Sequence, residues 1–348
     1  MFFQRVYVWA GFAVGAAALS GCAGARGALQ PSFLPPTQSP ARVDRNQKHT
    51  QSVKSAGYIY VSNVTKQGQS ELLVYRAGSQ DPSPIQTITQ GLVDVAGVAA
   101  DSSGNVYVAN GDGGNVLEFS PGGASLLFTY TKGLAHPIAV TVSGATLFVA
   151  DQGNPEYSSA QQVFEYTIGS GTPSIAIAGY EPPPLLNEGI AVDRGGSQGA
   201  FFVTASAGTV IPPTGACSSG NAYPLGENLF PTLWLDIALS HTMEPSGLAF
   251  DSAGNLYVAD TCSSSVAIYS YVNYAWTYTG SVSGTFNMPL FLSIDNNILA
   301  IPSYGNAGSS GYVTVIDLNA KTPSVTIGKD LQHPVGAAVF YSNVRSNS

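Results

Sequence analysis

Charge is scarce in this chain. Only 10% of its 348 residues are Asp, Glu, Lys or Arg, against about a quarter in ordinary soluble domains. Thirteen basic residues face 21 acidic ones, a formal net charge of −8. A polyphosphate backbone demands clustered Lys and Arg, so nucleic acid is excluded as a partner. Ser, Thr, Asn, Gly and Tyr must supply the polar surface, as is common on exported proteins. Cysteine is almost missing too, at Cys22, Cys217 and Cys262 alone. The chain has no Gly-x-Ser-x-Gly elbow, no His-Glu-x-x-His pair and no phosphate-cradling glycine loop, which removes three common sources of catalysis. No apolar run reaches the roughly 20 residues that span a bilayer.

What is present begins with Val6 to Ala18, an apolar run of 13 residues preceded only by the charge of Arg5. That is the length of a signal-peptide core. It ends in Leu19-Ser20-Gly21-Cys22, which resembles the bacterial lipobox. The small residues before Cys22 suit a peptidase groove, and the thiol suits alkylation by a lipid. Residues 1–21 are therefore expected to be a lipoprotein signal peptide and Cys22 the lipidated residue. The alternative is an ordinary secretory signal cut near Ala23-Gly24-Ala25. Removing Arg5 leaves 12 basic residues against 21 acidic ones, a net −9. Residues 22–56 hold Pro31, Pro35, Pro36 and Pro40 and show no apolar period. They predict a disordered tether, with Arg42, Arg45 and Lys48 as solubilising charges. Ala23 after the lipidated position, rather than Asp, points to an outer membrane or cell surface.

Residues 95–110 read VAGVAADSSGNVYVAN and residues 245–260 read PSGLAFDSAGNLYVAD, identical at nine of sixteen positions. Each stretch predicts two half-buried strands, from their alternation, joined by a tight turn. The turn Asp-x-x-Gly-Asn assigns Asp101 and Asp251 to backbone capping, and Gly104 and Gly254 to the positive φ of the reversal. Weaker copies follow around Ala139, Gly189 and Phe291. A lone first strand stands at the end, near Gly336, and a lone second strand at the start, near Tyr60. Anchored on Gly97, Ala139, Gly189, Gly247, Phe291 and Gly336, the steps are 42, 50, 58, 44 and 45 residues. A four-stranded antiparallel unit of that length is a propeller blade. The orphaned halves complete one shared blade, which closes the ring and removes free edges. The expected fold is all-β: a six-bladed β-propeller over residues 57–341, with residues 342–348 as a C-terminal tail. The small anchor residues relieve crowding around the axis, and Phe291 marks an irregular blade.

Pro-x-Gly-Leu-Ala-Phe-Asp-x-x-Gly-Asn-Leu-Tyr-Val-Ala-Asp resembles the NHL repeat. The stretch from Gly311-Tyr312-Val313-Thr314-Val315 through His333-Pro334-Val335-Gly336 is similar to the YVTN repeat of bacterial surface proteins. The NHL resemblance implies six blades and, by itself, no particular chemistry, since the fold hosts scaffolds, ligand binders, lactonases and lyases. The amidating-lyase branch carries zinc histidines after the proline, where this chain has Ile138 and Val335. The gluconolactonase-like branch implies a calcium set of one Glu with Asn and Asp, here Glu188, Glu244, Asn110, Asp151 and Asp260, although Asp and Asn leaving a second strand are repeat consensus and more often cap the loop.

Because strands alternate in direction, the loop entering each first strand and the loop leaving each second strand share one face. Long segments collect there: 152–160, 179–187 and, longest, about 205–231. Binding usually resides in such loops. His136 and His333 stand at one radial station before first strands, but their blades are not adjacent, which weakens a metal role. Tyr157, Tyr180 and Tyr223 are candidates for gripping a peptide or glycan, or for core packing. Cys217 and Cys262 fall on this face in neighbouring blades, and an exported compartment permits a disulfide. Asn110-Gly111-Asp112-Gly113-Gly114-Asn115 lacks the downstream Glu of a calcium loop and predicts a turn. The expectation is an envelope-anchored, monomeric, non-enzymatic module without a cofactor, binding a protein, peptide or glycan on the loop face. The alternative is a calcium-dependent lactonase.

Overall fold

The computed structural model describes residues 57–79, 82–153, 162–178, 186–192, 200–206, 220–226, 245–273, 275–305, 309–320 and 322–341. All belong to one compact unit, Ser52–Ser348. The signal, the tether, the tail and Cys22 lie outside the described residues.

The chain builds antiparallel sheets in succession. First come β1 (Gly57–Val64), β2 (Ser70–Arg76) and β3 (Gln86–Ile88). The second sheet is β4 (Val95–Ala100), β5 (Val106–Asn110), β6 (Asn115–Phe119) and β7 (Leu126–Tyr130). The third is β8 (Pro137–Ser143), β9 (Thr146–Asp151), β10 (Gln162–Thr167) and β11 (Pro173–Ala178). The fourth shows three described strands, β12 (Leu186–Val192), β13 (Ala200–Ser206) and β14 (Gly220–Gly226). The fifth is β15 (Pro245–Phe250), β16 (Leu256–Asp260), β17 (Ser265–Val272) and β18 (Ala275–Ser281). The sixth is β19 (Ser293–Asp295), β20 (Ile298–Ser303), β21 (Tyr312–Asp317) and β22 (Thr322–Ile327). Finally β23 (His333–Tyr341) returns to pair antiparallel with β1, from Gly57↔Tyr341 to Val64↔His333. The last strand of the chain thus completes the first sheet, as the repeat predicted, and the fold is a β-propeller.

Burial explains the strand types. The innermost strands β4 and β15 are buried along nearly their whole length, because both faces meet neighbouring sheets. The outermost strand β18 alternates exposed and half-buried residues, because it has a neighbour on one side only. The core lies between sheets. One apolar cluster joins Tyr60, Leu72 and Val74 of the first sheet to Val98, Val106 and Val108 of the second. Others join the sixth sheet to the first and the fifth to the sixth.

The anchor positions do more than relieve crowding at the axis. A Cβ on Gly97 would lie 3.0 Å from Ala139 Cα, and one on Gly247 would lie 2.3 Å from the Leu290 carbonyl oxygen. On Gly336 it would lie 2.7 Å from the Ala96 carbonyl oxygen. Each glycine therefore admits the backbone of the next innermost strand. A register shift sits at this station in five sheets, between Val95 and Val98, Pro137 and Ala139, Asn187 and Gly189, Pro245 and Leu248, and opposite Ser62/Asn63. Such a bulge bends the strand and turns its small residue toward the neighbouring sheet. At Phe291 the contact becomes a hydrogen-bonded bridge instead: Phe291 N–H donates to the Val335 carbonyl at 3.1 Å, and Ala337 N–H donates to the Phe291 carbonyl at 3.1 Å. That backbone pairing lets the sixth sheet dispense with a small residue.

One reading needs adjustment. The segment around 205–231, taken as a loop insertion, contains β14. Its strand signal was weak because Pro224 and two glycines interrupt the apolar alternation.

Candidate functional site

The turns opposite the loop face act as the sequence suggests. Asp101 Oδ1 accepts the N–H groups of Ser103 and Asn105 at 2.8 and 2.9 Å. Its Oδ2 accepts the Asn105 amide and the Tyr107 hydroxyl at 2.9 and 3.1 Å. Asp251 repeats the pattern with Ala253, Asn255 and Tyr257. These carboxylates are structural.

On the loop face, Asn63, Asn110 and Asp151, at the ends of second strands, tie down the loop that enters the first strand, and Asp260 holds the turn that leaves its own strand. Asn63 Oδ1 accepts the N–H groups of Gln332 and His333 at 3.0 and 2.9 Å. Asn110 Oδ1 accepts Val93 N–H, while its amide donates to the Gly91 carbonyl at 3.0 Å. Asp151 Oδ2 accepts Ala135 and His136 N–H at 2.9 and 3.1 Å, and its Oδ1 accepts Gly153 N–H at 2.7 Å. Asp260 Oδ1 accepts Cys262 and Ser263 N–H at 3.1 and 3.2 Å, and its Oδ2 accepts the Ser263 hydroxyl. Burial raises the Asp151 pKa and the three N–H bonds oppose that shift.

Asn110, Asp151 and Asp260 are at most 2% exposed. To take calcium, each would have to release backbone groups that the loops rely on. Glu188 falls within β12, with only its backbone described, and Tyr223 likewise within β14. Glu244, Tyr157, Tyr180 and Cys217 lie outside the described residues. Cys262, on the turn after β16, is disulfide-bonded, and its partner lies outside them as well.

A family model described as NHL repeat matches residues 242–269. The match covers β15, β16 and most of β17, where the Asp-x-x-Gly-Asn turn sits. No curated protein matches the sequence. Among solved structures, a chain in the crystal structure of the nidogen/laminin complex aligns with TM-score 0.60 at 15% identity, covering 82% of this chain and 99% of that one. A protein of unknown function from Bacteroides caccae, solved at 1.35 Å, aligns with TM-score 0.60 at 12% identity, covering 82% and 99%. Likeness at these identities establishes the propeller fold alone.

His136 and His333 occupy equivalent backbone stations, since Asp151 and Asn63 cap their N–H groups in the same way. Their rings go to different chemistry on the preceding sheet. His333 stacks on Tyr304, ring centres 4.7 Å apart, with Nδ1 3.2 Å from the Tyr304 carbonyl oxygen. His136 lies between two carboxylates: Nε2 is 3.4 Å from Asp94 Oδ2, and Nδ1 is 3.6 Å from Asp112 Oδ1. Asp94 and Asp112 went unnoticed in the sequence as partners. Asp112 sits in the glycine-rich turn read as structural, and that turn does close, Gly114 N–H donating to the Gly111 carbonyl at 2.8 Å. Only the sheet-to-sheet packing brings Asp94 and His136 beside it.

A cavity of about 390 Å³ runs along the axis. Its walls come from the innermost strands of the six described sheets, among them Val98, Val140, Ile190, Leu248 and Val339, and its lining reaches Asp295 and Asn296 on the opposite face. No helix among the described residues is long and apolar enough to cross a membrane.

Proposed function

We propose that the chain is an exported lipoprotein whose six-bladed propeller, tethered through Cys22, binds a protein partner on its loop face. The observation that carries this reading is the division of roles on that face. Asn63, Asn110, Asp151 and Asp260 are buried and hold the loops in place. Val93, Asp94 and Asp112 stand exposed around the half-buried His136. Fixed loops presenting exposed side chains lose little conformational entropy on binding. The alignment with a chain of the nidogen/laminin complex, a protein–protein assembly, favours a protein over a small molecule. We assign Cys217 as the partner of Cys262. Cys217 follows β13 and Cys262 follows β16, equivalent strands of neighbouring sheets, so a bridge ties the longest loop to the next sheet.

Photo-crosslinking in the native cell tests the binding reading. A photoreactive residue replacing Tyr304 on the loop face is expected to yield a discrete protein adduct, while one replacing exposed Asn296 on the opposite face yields none. Adducts from Asn296 alone, or none from either position, overturn the assignment. Calcium-dependent lactone hydrolysis by the purified protein would replace binding with catalysis. For anchoring, Cys22→Ser is expected to move the protein from the membrane fraction to the soluble one.

A further inference from the structure

We propose that Asp94, Asp112 and His136 form a divalent transition-metal site of the zinc class on the loop face, between the second and third sheets. The three residues arrive from separate segments: the loop entering β4, the turn from β5 to β6, and the residue before β8. Backbone contacts hold Asp94 and His136 in place, and the closed turn from Gly111 to Gly114 carries Asp112. Gly111 N–H donates to the Asp94 carbonyl at 2.9 Å, and Gln152 N–H donates to the His136 carbonyl at 3.0 Å. One imidazole nitrogen and one oxygen from each carboxylate all lie within 4.8 Å of one another.

The ring makes no direct hydrogen bond to either carboxylate. The imidazole–carboxylate separations of 3.4 and 3.6 Å exceed an ordinary N–H···O distance of about 2.7–3.2 Å. Only one ring nitrogen can bind the ion, so one carboxylate stands near the roughly 3.4 Å that separates donors around a tetrahedral zinc, and the other, within 4.8 Å, closes in by rotation of its exposed side chain. Gly111 keeps the space open, since a Cβ there would lie 2.7 Å from Asp94 Oδ2 and 3.0 Å from His136 Cε1.

Charge supplies an independent argument. Asp101, Asp151, Asp251 and Asp260 all accept N–H groups of the chain. Among the described residues, the carboxylates of Asp94 and Asp112 accept no such bond and meet no Lys or Arg. Their one basic neighbour is His136. Two carboxylates carry more charge than a single imidazole can balance, which leaves net negative charge that a divalent cation offsets. An imidazole in the donor set favours zinc, nickel or copper over calcium. Three protein donors leave a fourth position for water or an incoming group. This site stands whether or not the loop face binds a protein.

The test is a titration of the metal-stripped full-length protein with Co²⁺, followed by its visible absorption and by competition with Zn²⁺. The wild type is expected to take up one equivalent with a four-coordinate spectrum that Zn²⁺ displaces and excess Ca²⁺ does not. His136→Asn and Asp112→Asn are each expected to weaken binding by at least about tenfold, the low end of what even outer partners of a metal ligand contribute. Asp112 is an exposed turn residue, so Asp112→Asn should retain the wild-type unfolding temperature in chelator and keeps the test free of folding defects. A wild type that binds neither ion, or variants that bind as tightly as wild type, overturns the site.

Discussion

Single residues hold the turns of this propeller. Asp251 satisfies two backbone N–H groups, one amide and one tyrosine hydroxyl. Asp251→Ala strands those donors in a partly buried place and should lower stability by about 1–3 kcal/mol, read as a shifted denaturation midpoint. Asp101→Ala should lose a similar amount, since its bonds are the same; a loss at one site only would show that the two turns are not equivalent. The tyrosines against these turns carry a pH signature. Burial first, and the Asp251 charge second, push the Tyr257 hydroxyl from 10.0 to about 12, and burial does the same for Tyr60. Both folded values lie above the unfolded one. Their stabilising contribution is therefore complete below pH 10 and declines as pH climbs from there toward about 12. Alkaline titration followed by tyrosinate absorbance should show a late-ionising class that merges with the bulk once the protein unfolds. Tyr257→Phe should flatten part of the alkaline stability loss. Legibility was good at this scale where a residue acts within its own turn, as Asp101 and Asp251 do. For Asn110 and Asp151 the sequence favoured loop capping over ion ligation without separating the two, because both need the same oxygen, and the structure shows the caps.

At the scale of the strand, the recurring device is the bulged innermost strand with a small residue at its bend. The sequence displayed the small residues and attributed them to axial crowding. Contact with the next strand's backbone is the more specific reason, and it was invisible until neighbouring sheets were placed. Gly247→Ala drives a methyl group into the Leu290 carbonyl and Phe291 backbone. It should destabilise the protein by about 1–3 kcal/mol. Gly328→Ala, where an added Cβ meets nothing within 4 Å, should be neutral or slightly stabilising. Equal effects of the two substitutions in thermal unfolding would refute the close-approach account.

For the whole molecule, stability depends on the return of β23 to β1. Tyr60, on β1, donates its hydroxyl to the Gly104 carbonyl and receives Gly122 N–H, both at 2.9 Å, so the closing sheet is also bonded to the second. Ending the chain after Leu331 removes β23, bares the edge of β1 and uncovers Val61 and Ile59. The expected result is a broad, non-cooperative transition and association through the free edge, seen in calorimetry and sedimentation. A truncated chain that melts sharply at the wild-type temperature would show that closure contributes nothing.

The sequence alone determined the strand repeat, its spacing and the pairing of the chain's two ends, because alternation and turn chemistry are local and recur in register. Tertiary structure decided which polar groups are occupied and which are open. Asn110, Asp151 and Asp260 turn inward onto loop backbone, whereas Asp94, Asp112 and His136 meet in the gap between two sheets. Residues up to 42 positions apart become neighbours there through blade-on-blade packing, a nonlocal relation that no periodicity encodes.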